Sequence, residues 1–153
     1  EMLAKKYGRT IEQAKEMTKQ VSQMASTVGL SFDFERAVLT NSFDAHRLAH
    51  LAAKSGLQDQ MQERLFAAYF VEGKHIGDRE VLVSLGTEVG LDAAEIRKTL
   101  EGDEFSIEVR EDGDEAQALG ATGVPLFVLD RKYGVSGAQP VEVFLGALRK
   151  AAE

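Results

Sequence analysis

The sequence predicts an α/β fold that is mostly helical, and three observations carry the prediction. Apolar residues recur at three- and four-residue steps across most of residues 10–119, the spacing that places one stripe of each helix in a core. After Gly120 the period changes. Residues 124–129 form a nearly unbroken apolar run of strand length, Asp130-Arg131-Lys132 makes a turn, and Tyr133–Ser136 reads as the returning strand. A closing helix then starts at Pro140, which is tolerated in a first helical turn, and carries Val143, Phe144, Leu145 and Leu148.

The helices can be justified in order. Thr10 and Gln13 have the spacing of a capping box, and Ile11, Ala14, Met17, Val21, Met24 and Val28 form the stripe that follows, expected to be buried along one face. Further helices are predicted over 42–55, 58–72, 78–89, 92–101 and 103–119. Asp92 with Glu95 repeats the cap logic. Three helical segments run into Gly-Leu and then a polar residue, at Gly29-Leu30-Ser31, Gly56-Leu57-Gln58 and Gly90-Leu91-Asp92. The glycine supplies a left-handed residue after the helix and the leucine folds back onto its last turn. The acidic stretch Glu111-Asp112-Gly113-Asp114-Glu115 contains a helix-weakening glycine, so a kink or break is expected there.

Composition narrows the function. A chain of 153 residues with 44% apolar content can build a real core. Its net charge of −7 excludes the basic footprint that nucleic acids and anionic membranes require, so neither is expected as a partner. No apolar run approaches the roughly 18 residues of a membrane span. Cysteine is absent, which excludes a disulfide, a thiolate metal site and a cysteine nucleophile within these residues. The acidic balance and lack of cysteine suit a cytoplasmic protein.

Candidate chemistry is sparse. His46 and His50 stand at i, i+4 on one predicted helix, but Arg47 occupies the place of the glutamate in the zinc-protease pattern, so no metal is expected. Phosphate cradles and nucleophile elbows are absent from the sequence. Two backbone features stand out. Thr122-Gly123-Val124-Pro125 opens the apolar strand, and a cis bond at Val124-Pro125 would turn the backbone of Gly123 and Val124 outward, to pair with an extended peptide. Ser136, Gly137 and Gln139 lie between the returning strand and the Pro140 helix, where free N–H groups favour a carboxylate or serve simply to turn the chain.

Taken together, Gly123-Val124-Pro125, the short turn, Tyr133-Gly-Val-Ser-Gly-Ala-Gln-Pro140 and the closing amphipathic helix resemble the second half of a thioredoxin-like fold of the DsbA type. The segments Asn41-Ser-Phe-Asp-Ala-His-Arg-Leu48 and Ala68-Tyr-Phe-Val-Glu-Gly-Lys-His-Ile-Gly-Asp78 resemble the FrnE-like branch of the DsbA family. The resemblance runs from about Leu3 to Ala152. It implies an α-helical insertion lobe over 1–102 and, over 103–153, the C-terminal part of a thioredoxin-like domain, with its β-hairpin, helix and cis-proline loop.

The activity implied is that of a thiol-disulfide oxidoreductase or isomerase acting on protein or small thiols. A Cys-x-x-Cys at a helix start would perform it. No catalytic residue lies within the given sequence on this reading. The expected Cys-x-x-Cys would precede Glu1, in agreement with a strand composed like the centre of a sheet but with a single hairpin partner. Thr122, Gly123, Val124 and Pro125 are then the substrate-docking loop, while Asn41, His46 and Arg47 would face the active-site cleft or fix the lobe against the half of the fold that carries the cysteines. Ser136, Gly137 and Gln139 stand where relatives that use glutathione hold that ligand. No resident cofactor is implied, although glutathione is a candidate ligand. Two other readings are a glutathione-dependent isomerase or transferase of the 2-hydroxychromene-2-carboxylate isomerase and kappa type, and a redox-inactive module that binds peptides.

Overall fold

Residues 8–153 are described by a computed structural model of the chain, and its first helix begins where the sequence caps it. The Thr10 hydroxyl accepts from the Gln13 N–H at 3.2 Å and the Gln13 side chain accepts from the Thr10 N–H at 3.0 Å, so α1 runs over Ile11–Thr27 with both halves of a capping box formed. Four more α-helices and a π-helical turn follow among the described residues of the first compact unit, which ends at Phe105. The helices are α2 (Phe43–Ala53), α3 (Gln58–Phe66), α4 (Arg79–Val89) and α5 (Ala93–Glu101). The second unit, Ser106–Glu153, contains α6 (Ser106–Ala118), β1 (Leu126–Leu129), β2 (Tyr133–Ser136) and α7 (Val141–Ala151).

Helix endings follow the glycine-leucine pattern. The N–H groups of Leu30, Leu57 and Leu91 return to the carbonyls of Ala25, Ala52 and Gly86 at 3.0, 2.9 and 3.0 Å. Gly29, Gly56 and Gly90 are left-handed, with φ of 82°, 69° and 106°, as this closure requires. A fourth ending of the same geometry, not marked by leucine, closes α6, where Ala121 N–H bonds the Ala116 carbonyl at 3.0 Å beyond a left-handed Gly120.

Helices α2, α3, α4 and α5 enclose the core of the first unit. Leu48, Leu51, Met61, Leu82, Leu85, Ile96 and Leu100 are fully buried there, each side chain contributing about 1.5–3 kcal/mol of transfer free energy. Gly86 permits α4 and α5 to approach closely, since a Cβ at that position would stand 2.6 Å from Ile96 Cδ1. Helix α3 does not simply continue to residue 72. Residues Ala67–Val71 form a π-helical turn, with Glu72 N–H bonded to the Ala67 carbonyl at 3.0 Å. The turn leaves the Phe70 carbonyl to accept from Asp33 N–H at 2.7 Å, which pins the 31–36 segment.

Three expectations are corrected. The stripe of α1 is not buried: Ala14 and Ala25 are, but Met24 and Val28 are 65% and 72% exposed, because no described element packs along the helix. Helix α6 is continuous through Gly113, its acidic side chains being exposed to solvent. Strand β1, composed like the centre of a sheet, is not enclosed on both faces by the described residues. Among the described residues it pairs antiparallel with β2 alone, and α7 packs on this pair, where Phe127 meets Phe144 edge-to-face at 4.8 Å and Val135, opposite Phe127 in register, is buried. The turn between the strands holds Asp130 and Arg131 at φ of 50° and 53°. No described helix is long and apolar enough to cross a membrane.

An ion-pair network fastens the π-helical turn. Arg64 makes two 2.9 Å bonds to the Glu72 carboxylate and one of 2.6 Å to Glu88, and Lys74 adds a 2.9 Å contact to Glu72. Hydrogen bonding from Arg64, then from Lys74, lowers Glu72 from its ordinary value of 4.5 to about 2. Arg64 also holds Glu88 low. Depressed carboxylates stabilise the fold above their ordinary range, and the contribution declines as pH falls from about 4.5 toward about 2. After allowance for solvent at a side chain 37% exposed, the Glu72 share is about 1 kcal/mol. Denaturant midpoints followed from pH 6 to pH 2 will therefore fall, and Arg64→Met will make that fall shallower by about 1 kcal/mol.

Candidate functional site

In the second unit the structure brings two of the sequence-marked segments together. The Val124-Pro125 peptide bond is cis. Pro125 then enters β1, and its carbonyl accepts from Gly137 N–H at 2.8 Å, so the 122–125 loop and the 136–139 turn are joined at one end of the hairpin. Val124 is 94% exposed, and Thr122, Gly123 and Pro125 are exposed beside it. An apolar side chain held so far out of the fold, next to accessible backbone, is suited to contact another chain. Across the turn, Gly137 is left-handed at φ 84°, Gln139 N–H bonds the Gly137 carbonyl at 3.0 Å, and the Gln139 side-chain amide donates to the Ser136 carbonyl at 2.9 Å. The donor group of Gln139 thus closes its own turn.

Within the helical lobe, Asn41, His46 and Arg47 separate into three roles. Asn41 Oδ1 accepts from Phe43 N–H at 2.9 Å and so shapes the entry to α2. Arg47 does not face a cleft, as one of its two expected roles required: it is 2% exposed and its guanidinium is turned into the lobe. Its Nε donates to the Glu104 carbonyl at 2.8 Å, Nη1 to Asp44 Oδ1 at 2.7 Å, and Nη2 to the carbonyls of Gly102, at 2.8 Å, and Thr99. Thr99 and Gly102 lie at the end of α5, whose last carbonyls have no partner within the helix. A cation there also complements the helix dipole. Asp44 in turn accepts from Arg79 Nε at 3.1 Å, extending the link to α4.

The same contacts explain why the first unit continues past residue 102 to Phe105. Glu104 holds Lys54 at 2.7 Å, and Phe105 stacks on His50 at 6.0 Å with the Lys54 ammonium 4.7 Å over its ring. Hydrogen bonding from Lys54, and next from Thr99, lowers the Glu104 carboxyl below its ordinary range.

His46, by contrast, reaches an open cavity of about 250 Å³ bounded by the 40–42 segment, α2, α3, the π-helical turn and Ile76. Its lining includes the aromatic residues Phe66, Tyr69 and Phe70 and the polar residues Ser42, His46 and Gln62. Sequence reasoning found only His46 of this set. The density of aromatic residues at 66, 69 and 70 was the available signal, but helical spacing reads such residues as ordinary core. Among the described residues no group of three or more His, Asp or Glu side chains converges as a metal site.

Comparison with known proteins covers nearly the whole chain. The DSBA-like thioredoxin domain matches residues 3–149. A crystal structure of a probable DsbA oxidoreductase from Streptomyces coelicolor is 42% identical and superposes with a TM-score of 0.91 over 99% of this chain and 65% of its own length. The uncharacterized Bacillus subtilis protein YwbO is 28% identical over 130 residues, which are 84% of this chain and 64% of YwbO. This chain therefore spans less than two thirds of either relative.

The two neighbouring residues of α2 should separate stability from surface chemistry. Arg47→Met leaves Asp44 and three carbonyls without their buried donor and is expected to cost about 3 kcal/mol. His46→Leu, at an exposed position, is expected to stay within about 0.5 kcal/mol of the parent. Urea denaturation followed by circular dichroism measures both.

Proposed function

Because the chain belongs to the DsbA-like thioredoxin domain family, we propose that the protein is a FrnE-like thiol-disulfide oxidoreductase or isomerase. These residues contribute the docking loop and the helical lobe. The Cys-x-x-Cys that the chemistry requires comes from polypeptide outside this sequence. A thiolate of that pair attacks a substrate disulfide, one substrate sulfur leaves as a thiolate, and the second cysteine resolves the mixed disulfide. The part of this chain is to hold the substrate strand while the exchange occurs. Backbone groups of Gly123 and Val124 pair with an extended segment, and the Val124 side chain packs on it. Protein thiols and disulfides are the partners on this reading, in a cytoplasmic setting, with no resident cofactor.

The observation that carries the proposal is the projection of Val124, 94% exposed, at the head of β1. It is supported by the likeness to the Streptomyces protein titled a probable DsbA oxidoreductase. The turn at Ser136 offers less support for glutathione, because the Gln139 amide already donates to the Ser136 carbonyl.

A direct test compares the 153-residue chain with a fusion that carries a Cys-x-x-Cys-bearing N-terminal segment of a family member. The chain alone is expected to reduce no insulin, and the fusion is expected to be active. A folded fusion with two titratable thiols and no activity would overturn the proposal. In the active fusion, Val124→Asp is expected to reduce turnover of protein substrates several-fold. Its melting temperature should change little, as for an ordinary surface substitution.

A further inference from the structure

The cavity beside His46 has a composition that the docking-loop proposal does not use. At about 250 Å³ it has room for one six-membered ring with one or two substituent atoms, given that about 150 Å³ accommodates benzene in an engineered apolar cavity. Its aromatic wall is fixed in place. Phe70 lies 4.9 Å from Tyr69 and 6.3 Å from Phe66, and it is held within the lobe by Phe32, stacked at 4.7 Å, and by Phe34 at 6.0 Å. The π-helical turn sets the direction of Tyr69 and Phe70, and such turns occur frequently at functional sites. Ala45 and Leu65, both buried, line the inner part.

The polar side divides into engaged and open groups. Thr40 Oγ1 is held by His75 Nε2 at 2.8 Å and lies so near Gly77 that an added Cβ there would run into the hydroxyl. The side chains of Ser42, His46 and Gln62 make no hydrogen bond among the described residues, and all three line the cavity. No Lys, Arg, Asp or Glu is present in the lining to offer a charged ligand an ion pair that would offset its lost hydration. A purely apolar ligand would leave the open donors and acceptors unanswered on entry.

We infer that this cavity binds a neutral phenol-type ring, its face and edges against Phe66, Tyr69 and Phe70 and its hydroxyl toward His46 and Gln62. Ring contacts supply the attraction, and the imidazole and amide groups set orientation. The ring has two chemically equivalent sources, a free small phenol or the tyrosine side chain of a peptide. Binding is independent of the thiol chemistry proposed above and is measurable on this chain without any cysteine.

The experiment is an amide-resolved NMR titration of the full chain with p-cresol, with toluene, benzoate and butylammonium as comparators. A capped pentapeptide with tyrosine at its centre forms a second arm. The expected result is a saturable shift confined to residues around the cavity, with p-cresol binding at least several-fold more tightly than any comparator. His46→Leu and Gln62→Leu should each weaken p-cresol about fivefold or more while leaving the melting temperature nearly unchanged. Binding of p-cresol alone assigns the site to a small molecule, whereas tighter binding of the pentapeptide assigns it to a protein side chain. The inference is overturned if neither probe shifts the cavity residues, if benzoate or toluene matches p-cresol, or if both folded variants bind like the parent.

Discussion

The helical lobe depends on one buried cation. Arg47 projects from α2 to the end of α5, where it satisfies the carbonyls of Thr99, Gly102 and Glu104, the first of them buried. Apolar packing can bring α2 and α5 together, but it cannot satisfy three carbonyl oxygens. Asp44 balances the charge and passes the connection to Arg79 on α4. At the π-helical turn, Arg64 does comparable work between α3, Glu72 and α4. The core of the lobe is thus oily in the middle and clamped by guanidinium groups, which suits a scaffold that must hold a cavity open.

Local signals were legible where one or two residues decide the geometry. Thr10 and Gln13 formed their box, and all three Gly-Leu endings closed as their spacing implied. The change of period after Gly120 marked the hairpin. The family resemblance, carried by 41–48, 68–78 and the proline loop, agrees with the family match over residues 3–149.

What could not be read depended on partners distant in sequence. Arg47 looks like a surface residue beside two histidines until the carbonyls more than fifty positions later are seen. The π-helical turn has no reliable local code, because the extra residue is absorbed for the sake of contacts such as Asp33 with Phe70. Burial misled in the opposite direction for α1 and β1. Apolar spacing records which face a residue prefers to hide, and it carries no information on whether the described chain supplies the cover.

The two-stranded sheet has one more implication. A sheet of two strands has no interior: β1 and β2 each have an outer side on which backbone donors and acceptors meet no described strand. Additional strands would join such a sheet through regularly spaced main-chain hydrogen bonds, which fix direction and register but are nearly indifferent to side-chain identity. The hairpin is therefore a template as much as a structure. Selectivity for what is added must come from side chains on its faces, such as Leu126 and Val128, and from the residues that flank its ends.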